Sequence, residues 1–549
     1  MGKAGRDDPS NVDHGMRGWR HLPCAGFCCL LAAGETERSV SPSILAYIKQ
    51  TWTTLTRTDA NLAKAAVDPK FPVPSDRRWP VYVARDEDIQ RVEERLRQAM
   101  SSSDLAKIDL QRLPDDPARV QAQGLLYLPK PWVVPGGRFN EMYGWDSFFI
   151  QMGLLRDGQI ELAEDLADNC VYEIRKYGKI LNANRTYYLT RSQPPFLTGM
   201  LLAVYRRKQD REWLATAIPA IEEYYRFWTT PPHLTPETGL SRYYDSGEGP
   251  APEVVSSEFD GRGREEYDLI KVYYRTHRIV DYDAREYYNA ATNQLTPLFY
   301  KGDRSMRESG FDPSNRFGPF SAGIIHYDPV CLNSLLYLME IHIAEIMAIV
   351  GKGEEAGKWR ERAEVRARTM NRLMWDEACG MYFDYNFERG RVRQYPFLTT
   401  FYPLWVGIAS PAQAAAVARN LPLFECAGGL QTSTNHSGDQ WDAPFGWAPL
   451  EWIGVEGLRR YGYQAEANRI SMKFLKLVQR EFQRHGAIVE KYDVVACRSN
   501  LRQSIRFGYH SNEAGFGWTN AVFTALFDKL PGRDEQKLIG TTPEPANNP

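Results

Sequence analysis

The chain has 549 residues, enough for one large domain or several small ones, and its 67 basic and 69 acidic residues leave a net charge of −2. No run of lysine and arginine predicts nucleic-acid binding, and the charge pattern does not favour a membrane surface. Aromatic residues make up 12% of the chain, and the 14 Trp and 30 Tyr suit a large core as well as surfaces that stack on flat ligands such as sugar rings.

The first 40 residues carry an ambiguous signal. Arg17 and Arg20 precede a short apolar run, and Ala32 and Gly34 follow it at plausible cleavage spacing, as in a secretory signal that begins at Met16. The acidic stretch at the very start makes a poor signal, so a disordered tail without an export role is the alternative. The protein is predicted to be exported or periplasmic in the first case and cytoplasmic in the second. The apolar run is too short to span a bilayer, and no membrane partner is predicted.

The body of the chain predicts helical hairpins. Each combines an apolar helix, which is expected to be buried, with an amphipathic helix that carries charge on one face. Three such stretches with a Gly-containing turn are residues 146–178, 331–375 and 448–486, and a fourth of the same build is 194–228. Strand signals are short, around residues 78–84 and 381–386. The repetition predicts an all-α fold, a closed helical toroid, and the lack of a tight sequence period argues against the alternative of an open solenoid.

The loops between these hairpins hold the unusual residues. They combine Gly and Pro with arginine, acidic and aromatic residues, at 134–149, 182–195, 245–268, 303–320, 435–449, 486–493 and 507–520. In a toroid such loops can converge on one face, and functional residues concentrate in loops on a rigid scaffold. Carboxylates and guanidinium groups bond sugar hydroxyls, rings stack on the apolar sugar face, and two carboxylates flanking a sugar suit glycosidic cleavage. No nucleotide-binding motif or GxSxG elbow occurs; a phosphate nest at residues 135–137 is the alternative.

The cysteines and histidines predict neither a disulfide framework nor a metal site. Cys24, Cys28 and Cys29 cluster near the start, and the other cysteines are scattered in mostly apolar contexts, which is typical of buried thiols. No CxxC pair has zinc spacing and no HExxH motif occurs. We therefore predict no metal and no cofactor.

Six blocks of the sequence resemble motifs of the trehalases, glycoside hydrolases of family 37 that split α,α-trehalose into two glucoses. PGGRFNEMYGWDSFF at 135–149 resembles the first family signature, and QWDAPFGWAP at 440–449 resembles the second. Shorter matching blocks are at 182–196, 307–317, 489–494 and 515–520. The resemblance implies an (α/α)6 toroid of six helical hairpins over residues 41–530. It leaves 1–40 as the tail or signal segment and 531–549 as a disordered C-terminal tail.

The resemblance also implies the catalytic pair. Asp312 matches the general acid of the family and Glu490 the general base, which together would cleave trehalose with inversion into one α- and one β-glucose. Taken alone, Asp312 ahead of Pro313 is typical of a turn cap, and Glu490 beside Lys491 of a surface ion pair; the surrounding blocks favour catalysis. Arginines near Asp312 would lower its pKa, so a partly desolvated pocket is expected to oppose them.

The same blocks imply a sugar-binding set. Trp145 and Phe139 would form walls, and Arg138 and Asp146 would bond hydroxyls. The further members are Tyr143, Asn182, Arg191, Gln193, Glu253, Arg307, Gly310, Gln440, Trp441, Asp442 and Trp447. Some of these are expected to lie one layer behind the sugar.

One position departs from the family pattern. Bacterial relatives often carry an acid several residues before the GFGW block, and that place falls on Tyr509 here. Either Glu513, which stands nearer the block, takes over the role of that acid through a different loop path, or the role is absent; Glu513 is not counted as catalytic. The segment 261–268 is either a closing lid or a plain surface loop.

Two other functions stay open on the sequence. One is hydrolysis of a different α-glucoside by a glucoamylase-like toroid, and the other is sugar binding without catalysis, against which the presence of both acids argues. The protein is predicted to be a monomer with trehalose as its small-molecule partner.

Overall fold

The structure is a computed structural model that describes residues 43–74, 76–254, 266–501, 504–509 and 511–532. The possible signal segment, the chain after residue 532 and residues 261–265 of the possible lid lie outside the described residues. The described residues belong to one compact unit that begins at Ser43. Their cysteines carry free thiols, of which Cys170 and Cys331 are buried and the other three half-buried.

Helices dominate the described residues. In chain order they are α1 Ile44–Leu55, α2 Leu62–Ala66, α3 Ile89–Ala99, α4 Ser102–Leu105, α5 Gly144–Arg156, α6 Ile160–Tyr177, α7 Leu197–Lys208, α8 Arg211–Thr216, α9 Ile218–Trp228, α10 Glu266–Thr276, α11 Ala284–Tyr287, α12 Pro297–Glu308, α13 Val330–Ile349, α14 Gly353–Leu373, α15 Tyr402–Val406, α16 Pro411–Arg419, α17 Ala448–Arg460, α18 Gln464–His485 and α19 Gly517–Phe527. All four predicted hairpins are confirmed. The second helix of the hairpin at 194–228 is divided into α8 and α9, and Pro219, which has no N–H to donate, stands in the first turn of α9.

The strands are short and mostly antiparallel pairs. They are β1 Thr56–Arg57, β2 Trp79–Val83, β3 Ile108–Arg112, β4 Leu125–Leu126, β5 Trp132–Val133, β6 Leu234–Thr235, β7 Leu240–Ser241, β8 Tyr288–Asn289, β9 Gln294–Leu295, β10 Tyr327–Asp328, β11 Trp375–Asp376, β12 Met381–Tyr382, β13 Tyr385–Asn386, β14 Arg391–Val392, β15 Glu425–Cys426, β16 Gly429–Leu430, β17 Phe445–Trp447 and β18 Lys491–Asp493. The two strand signals of the sequence fall on β2 and on β12 and β13. Strand β2 is the centre of a small parallel sheet of order β3-β2-β4.

Six helices form a closed inner ring. They follow the order α5, α7, α13, α15, α17 and α19, each packs against the next, and α19 returns to α5. Helices α6, α14 and α18 pack back on the inner helices that precede them, and α1 packs on α19. The arrangement confirms the predicted (α/α)6 toroid. Its sixth pair differs from a sequential hairpin, because α1 comes from the opposite end of the described chain.

Hydrophobic pattern explains the two layers. The inner helix α13 is apolar around most of its circumference and buried accordingly, whereas α14 buries a stripe that includes Ala356, Trp359, Ala363 and Met370 and exposes charge elsewhere. By length and composition, α13 is the one helix among the described residues that could cross a membrane, and 72% of its apolar window is buried inside the protein.

The inner ring positions the motif blocks. The first signature runs into the start of α5, the second ends where α17 begins, and the GFGW block opens α19. Strands β17 and β18 pair with Trp447 opposite Lys491, which joins the second signature to the block that contains Glu490. Blocks separated by hundreds of residues therefore meet at one end of the ring.

Candidate active site

Residues from these blocks line the same cavity. It has an empty volume of about 860 Å³, which includes space open to solvent. The predicted residues on its wall are Arg138, Phe139, Tyr143, Trp145, Asp146, Asn182, Arg191, Gln193, Glu253, Arg307, Gly310, Asp312, Gln440, Trp441 and Glu490. Carboxylates, guanidinium groups and rings thus surround one space, which suits a neutral polyol.

Asp312 reaches the cavity through a turn that follows α12. Gly310 has φ of 77°, a region that favours glycine, and a Cβ there would come within 3.1 Å of the Trp145 indole. The Asp312 side chain is 31% exposed, and its Oδ2 lies 3.7 Å from Nη1 of Arg307. Burial raises the pKa of Asp312 to about 6, although Arg307 and Arg191 lower it. Desolvation therefore outweighs the arginines, as expected, and favours a carboxyl that can hold a proton.

Glu490 lies almost fully buried on another side of the cavity, immediately before β18. The Tyr509 hydroxyl donates to its Oε1, and Nζ of Lys491 lies 3.4 Å from its Oε2. The pKa of Glu490 is raised by burial, although Lys491, the Tyr509 hydroxyl and Arg138 act to lower it. Glu490 differs from Asp312 in having donors on both carboxylate oxygens, which stabilise its ionised form.

Each predicted sugar-binding arginine is held by acids. Arg191 donates to Glu253, Arg307 lies 3.1 Å from Asp303, and Arg138 Nε lies 3.3 Å from Glu513. Burial by itself would raise the pKa of Glu253, but Arg191 and Arg307 hold it at about 2. These ion pairs fix the guanidinium groups in place before any ligand arrives.

Indole rings and one further carboxylate complete the wall. The ring centroids of Trp145 and Trp441 lie 5.8 Å apart, and Trp518 packs edge-on against Trp145 at 5.7 Å. Asp146 is buried, and its pKa is raised well above the usual range by burial first and then by the charges of Glu490 and Asp312. The charges of both predicted catalytic carboxyls therefore affect the ionisation of Asp146.

Two members of the predicted sugar-binding set lie behind the wall. Trp447 stacks on Trp441 with centroids 3.8 Å apart and donates from its indole to the Gln440 carbonyl at 3.0 Å. Asp442 is fully buried. It accepts hydrogen bonds from Tyr395, Ser433, Ser437 and the backbone N–H of Asn315. The geometry thus gives Trp447 and Asp442 a supporting place rather than direct access to a ligand.

The cavity also contains residues that the sequence analysis did not assign. They include Lys70, Tyr188, Glu266, Tyr509, Phe516 and Trp518. Tyr188, Phe516 and Trp518 stand inside matching blocks, and Tyr509 occupies the place of the missing acid, so a signal existed for these four. Lys70 lies outside every block, and only the tertiary contacts bring it here.

Comparisons of this chain with known proteins all find trehalases. The family profile described as Trehalase matches residues 35–531. The cytosolic neutral trehalase of Emericella nidulans is 37% identical over 455 residues, which cover 75% of this chain and 59% of the relative. The cytosolic neutral trehalase of Saccharomyces cerevisiae is 38% identical over 429 residues, which cover 72% of this chain and 56% of the relative.

A solved structure is similar over nearly the whole chain. The neutral trehalase Nth1 from Saccharomyces cerevisiae superposes with a TM-score of 0.75 and 32% identity, covering 90% of this chain and 95% of that chain. The chain spans less than two thirds of the length of the two curated relatives named above.

Proposed function

This chain belongs to the trehalase family, and from that premise we propose that it is a glycoside hydrolase that cleaves α,α-trehalose into two glucoses, with Asp312 as general acid and Glu490 as general base. The observation that carries the proposal is the presence of two carboxyl groups that line the same cavity in different environments. Asp312 has a pKa raised to about 6, and Glu490 has donors on both of its oxygens. Two carboxyls with such different environments suit an acid and a base.

In this mechanism Asp312 donates its proton to the interglycosidic oxygen. Glu490 removes a proton from a water that attacks the anomeric carbon of one glucose from the opposite face, and the other glucose leaves. The attacked carbon inverts, so one α- and one β-glucose form. Inversion needs room for the water, and the two carboxyl groups of inverting enzymes stand about 6.5–9.5 Å apart.

The rest of the wall supports a neutral disaccharide as substrate. The arginine–acid pairs offer fixed donors and acceptors to hydroxyl groups, and Trp145 and Trp441 offer ring faces. No second catalytic proposal is favoured by a feature of the cavity. Because the two relatives described above are named cytosolic, we propose a cytoplasmic location; export would require the segment from Met16 to act as a signal.

Product stereochemistry tests the reaction. Purified protein is incubated with trehalose, with maltose and with buffer, and fresh product is followed by proton NMR. We expect glucose from trehalose alone, with equal α- and β-anomers before mutarotation mixes them. Early α-glucose alone would refute inversion, and glucose from maltose but not from trehalose would indicate a different α-glucosidase.

Two variants test the residue roles. Asp312→Asn removes the proton donor and Glu490→Gln removes the base, so each should lower kcat about 10²- to 10⁴-fold, the usual contribution of one acid or base. Trehalose binding should weaken less, since arginines and rings hold the sugar. Asp528→Asn and Glu425→Gln are matched controls, because both carboxylates form ion pairs outside the cavity and should retain activity. Near-normal turnover in Asp312→Asn or Glu490→Gln would remove that residue from its role.

A further inference from the structure

The carboxylate of Glu490 is held from both sides. Tyr509 donates its hydroxyl hydrogen to Oε1, and the Lys491 ammonium approaches Oε2 at 3.4 Å. The main chain of Glu490 is also fixed, because its carbonyl accepts from the Trp518 indole at 3.1 Å and its N–H donates to the Glu513 carbonyl at 3.0 Å. The side chain therefore has little freedom to rotate away from the cavity.

Lys491 is fully buried, which is costly for an ammonium group unless partners compensate. Its Nζ donates to Oε1 of Gln440 at 3.0 Å and lies 3.6 Å from the centroid of the Tyr509 ring and 5.0 Å from that of Trp447. Two ring faces, an amide oxygen and a carboxylate thus surround one cation. Each of these neighbours interacts favourably with the positive charge of Lys491, so the buried ammonium group is stabilised inside the protein.

Gln440 extends the contact to the other side of the cavity. Its side-chain amide accepts from Lys491 and donates to the backbone carbonyl of Asp312. The next residue, Trp441, donates its N–H to the Pro313 carbonyl at 3.1 Å. Lys491 therefore contacts Glu490 directly and reaches the Asp312 loop through one amide.

We propose that Lys491 and Tyr509 are positioning residues for the reaction proposed above: they hold Glu490 by both carboxylate oxygens, and Lys491 with Gln440 fixes its placement relative to the Asp312 loop. The inference rests on that proposed function. It adds two residues that act through Glu490, and it explains why the loop that contains Tyr509 approaches a carboxylate with a hydroxyl donor.

The electrostatic consequence can be measured. The titratable and charged groups that face Glu490 are Lys491, Tyr509, Arg138, Glu513 and Asp146. Lys491 and the Tyr509 hydroxyl lower the pKa of Glu490 against burial, so losing either should raise it. A general base acts in its ionised form, so activity is lost as the pH falls through the pKa of the base. The acidic limb of kcat/KM should therefore move to higher pH in both variants.

The test uses Tyr509→Phe and Lys491→Met in the full chain. For each we expect kcat to fall roughly 10- to 100-fold, as for a misplaced catalytic group, KM to change less, and the acidic limb to move upward. Tyr288→Phe is a matched control that removes a tyrosine hydroxyl bonded to Asn293 at 2.8 Å, and Lys473→Met removes a lysine paired with Glu425 at 2.7 Å, both outside the cavity. Circular dichroism and melting curves report whether each variant is folded.

The outcomes separate this inference from the proposed function. Absence of trehalose cleavage by the unmodified protein overturns the function itself. Full activity in Glu490→Gln removes Glu490 from the role of base, and the positioning role falls with it. An inactive Glu490→Gln together with an unmoved acidic limb in Tyr509→Phe and Lys491→Met overturns the positioning role alone. Should Lys491→Met fail to fold, Lys491→Gln replaces it, because glutamine retains a donor without the charge. Lys491→Gln must then show the same shift of the acidic limb of kcat/KM. Tyr509→Phe tests the role of Tyr509 independently.

Discussion

Two opposing effects meet at the Asp312 carboxyl. Burial raises its pKa, and the guanidinium groups of Arg307 and Arg191 lower it. Burial has the larger effect, and the pKa is raised to about 6. The arginines that we propose to bind sugar therefore limit how far the acid can be tuned, and the depth of the cavity decides the balance.

The pKa of Asp312 predicts the alkaline side of the pH profile. A general acid must be protonated, so kcat/KM for trehalose should fall as pH rises through about 6, because kcat/KM reports groups of the free enzyme. Initial rates at low substrate concentration, measured over a series of pH values, would show the limb. An alkaline limb that appears only above pH 8 would indicate that another group donates the proton.

We expect substitution of Glu513 to lower activity less than substitution of Glu490. Glu513 binds Arg138 through Nε at 3.3 Å and through the backbone N–H at 3.0 Å, and it does not line the cavity. Glu513→Gln should therefore loosen Arg138 and raise KM by about tenfold, the scale of one charge-assisted hydrogen bond. Steady-state kinetics beside Glu490→Gln would check this. Equal losses of kcat in the two variants would give Glu513 a role in the chemistry.

Helix α1 shows how one element closes the toroid. It buries Ile48, Trp52 and Leu55 and packs on α19, and the Trp52 indole donates to Asp157 at 2.7 Å. Since α19 opens with the GFGW block, the outer helix supports the inner helix that carries part of the cavity wall.

Removing the Trp52 ring should test that support. Trp52→Ala leaves a cavity and removes the indole donor from Asp157, which keeps its ion pair with Arg156, and we expect a loss of about 3–5 kcal/mol in the free energy of unfolding. Denaturant titration measures it, with Trp375→Ala, which removes a half-buried tryptophan, as the control that should cost less. A loss well below this range for Trp52→Ala would contradict the role of α1 in supporting the ring.

The outer surface predicts the association state of the whole molecule. Among the described residues, the large apolar side chains that are exposed are Val280, Val365, Leu423 and Val495, which lie on separate segments. Scattered single residues do not form the contiguous patch that a stable interface needs. We expect a monomer, with a mass of 62.9 kDa by light scattering after size exclusion. Twice that mass at micromolar concentration would contradict this.

The helical layers and the residue types of the loops could be predicted from the sequence. A period of 3.6 records which face of a helix is buried, so the inner α13 and outer α14 could be distinguished from residues 331–375 alone. The motif blocks likewise predicted most of the residues that line the cavity, Asp312 and Glu490 among them, because residue type and order within a block are local properties.

The contacts between residues that are distant in the chain could not be predicted from the sequence. A periodic pattern does not say which partner covers a buried face, so the pairing of α1 with α19 and the place of Trp447 behind Trp441 could not be predicted. The same holds for the pKa of Asp312 and for the donors on Glu490, since desolvation and charge depend on neighbours distant in the chain. Local residues specify the chemical groups, and long-range packing sets their protonation and orientation.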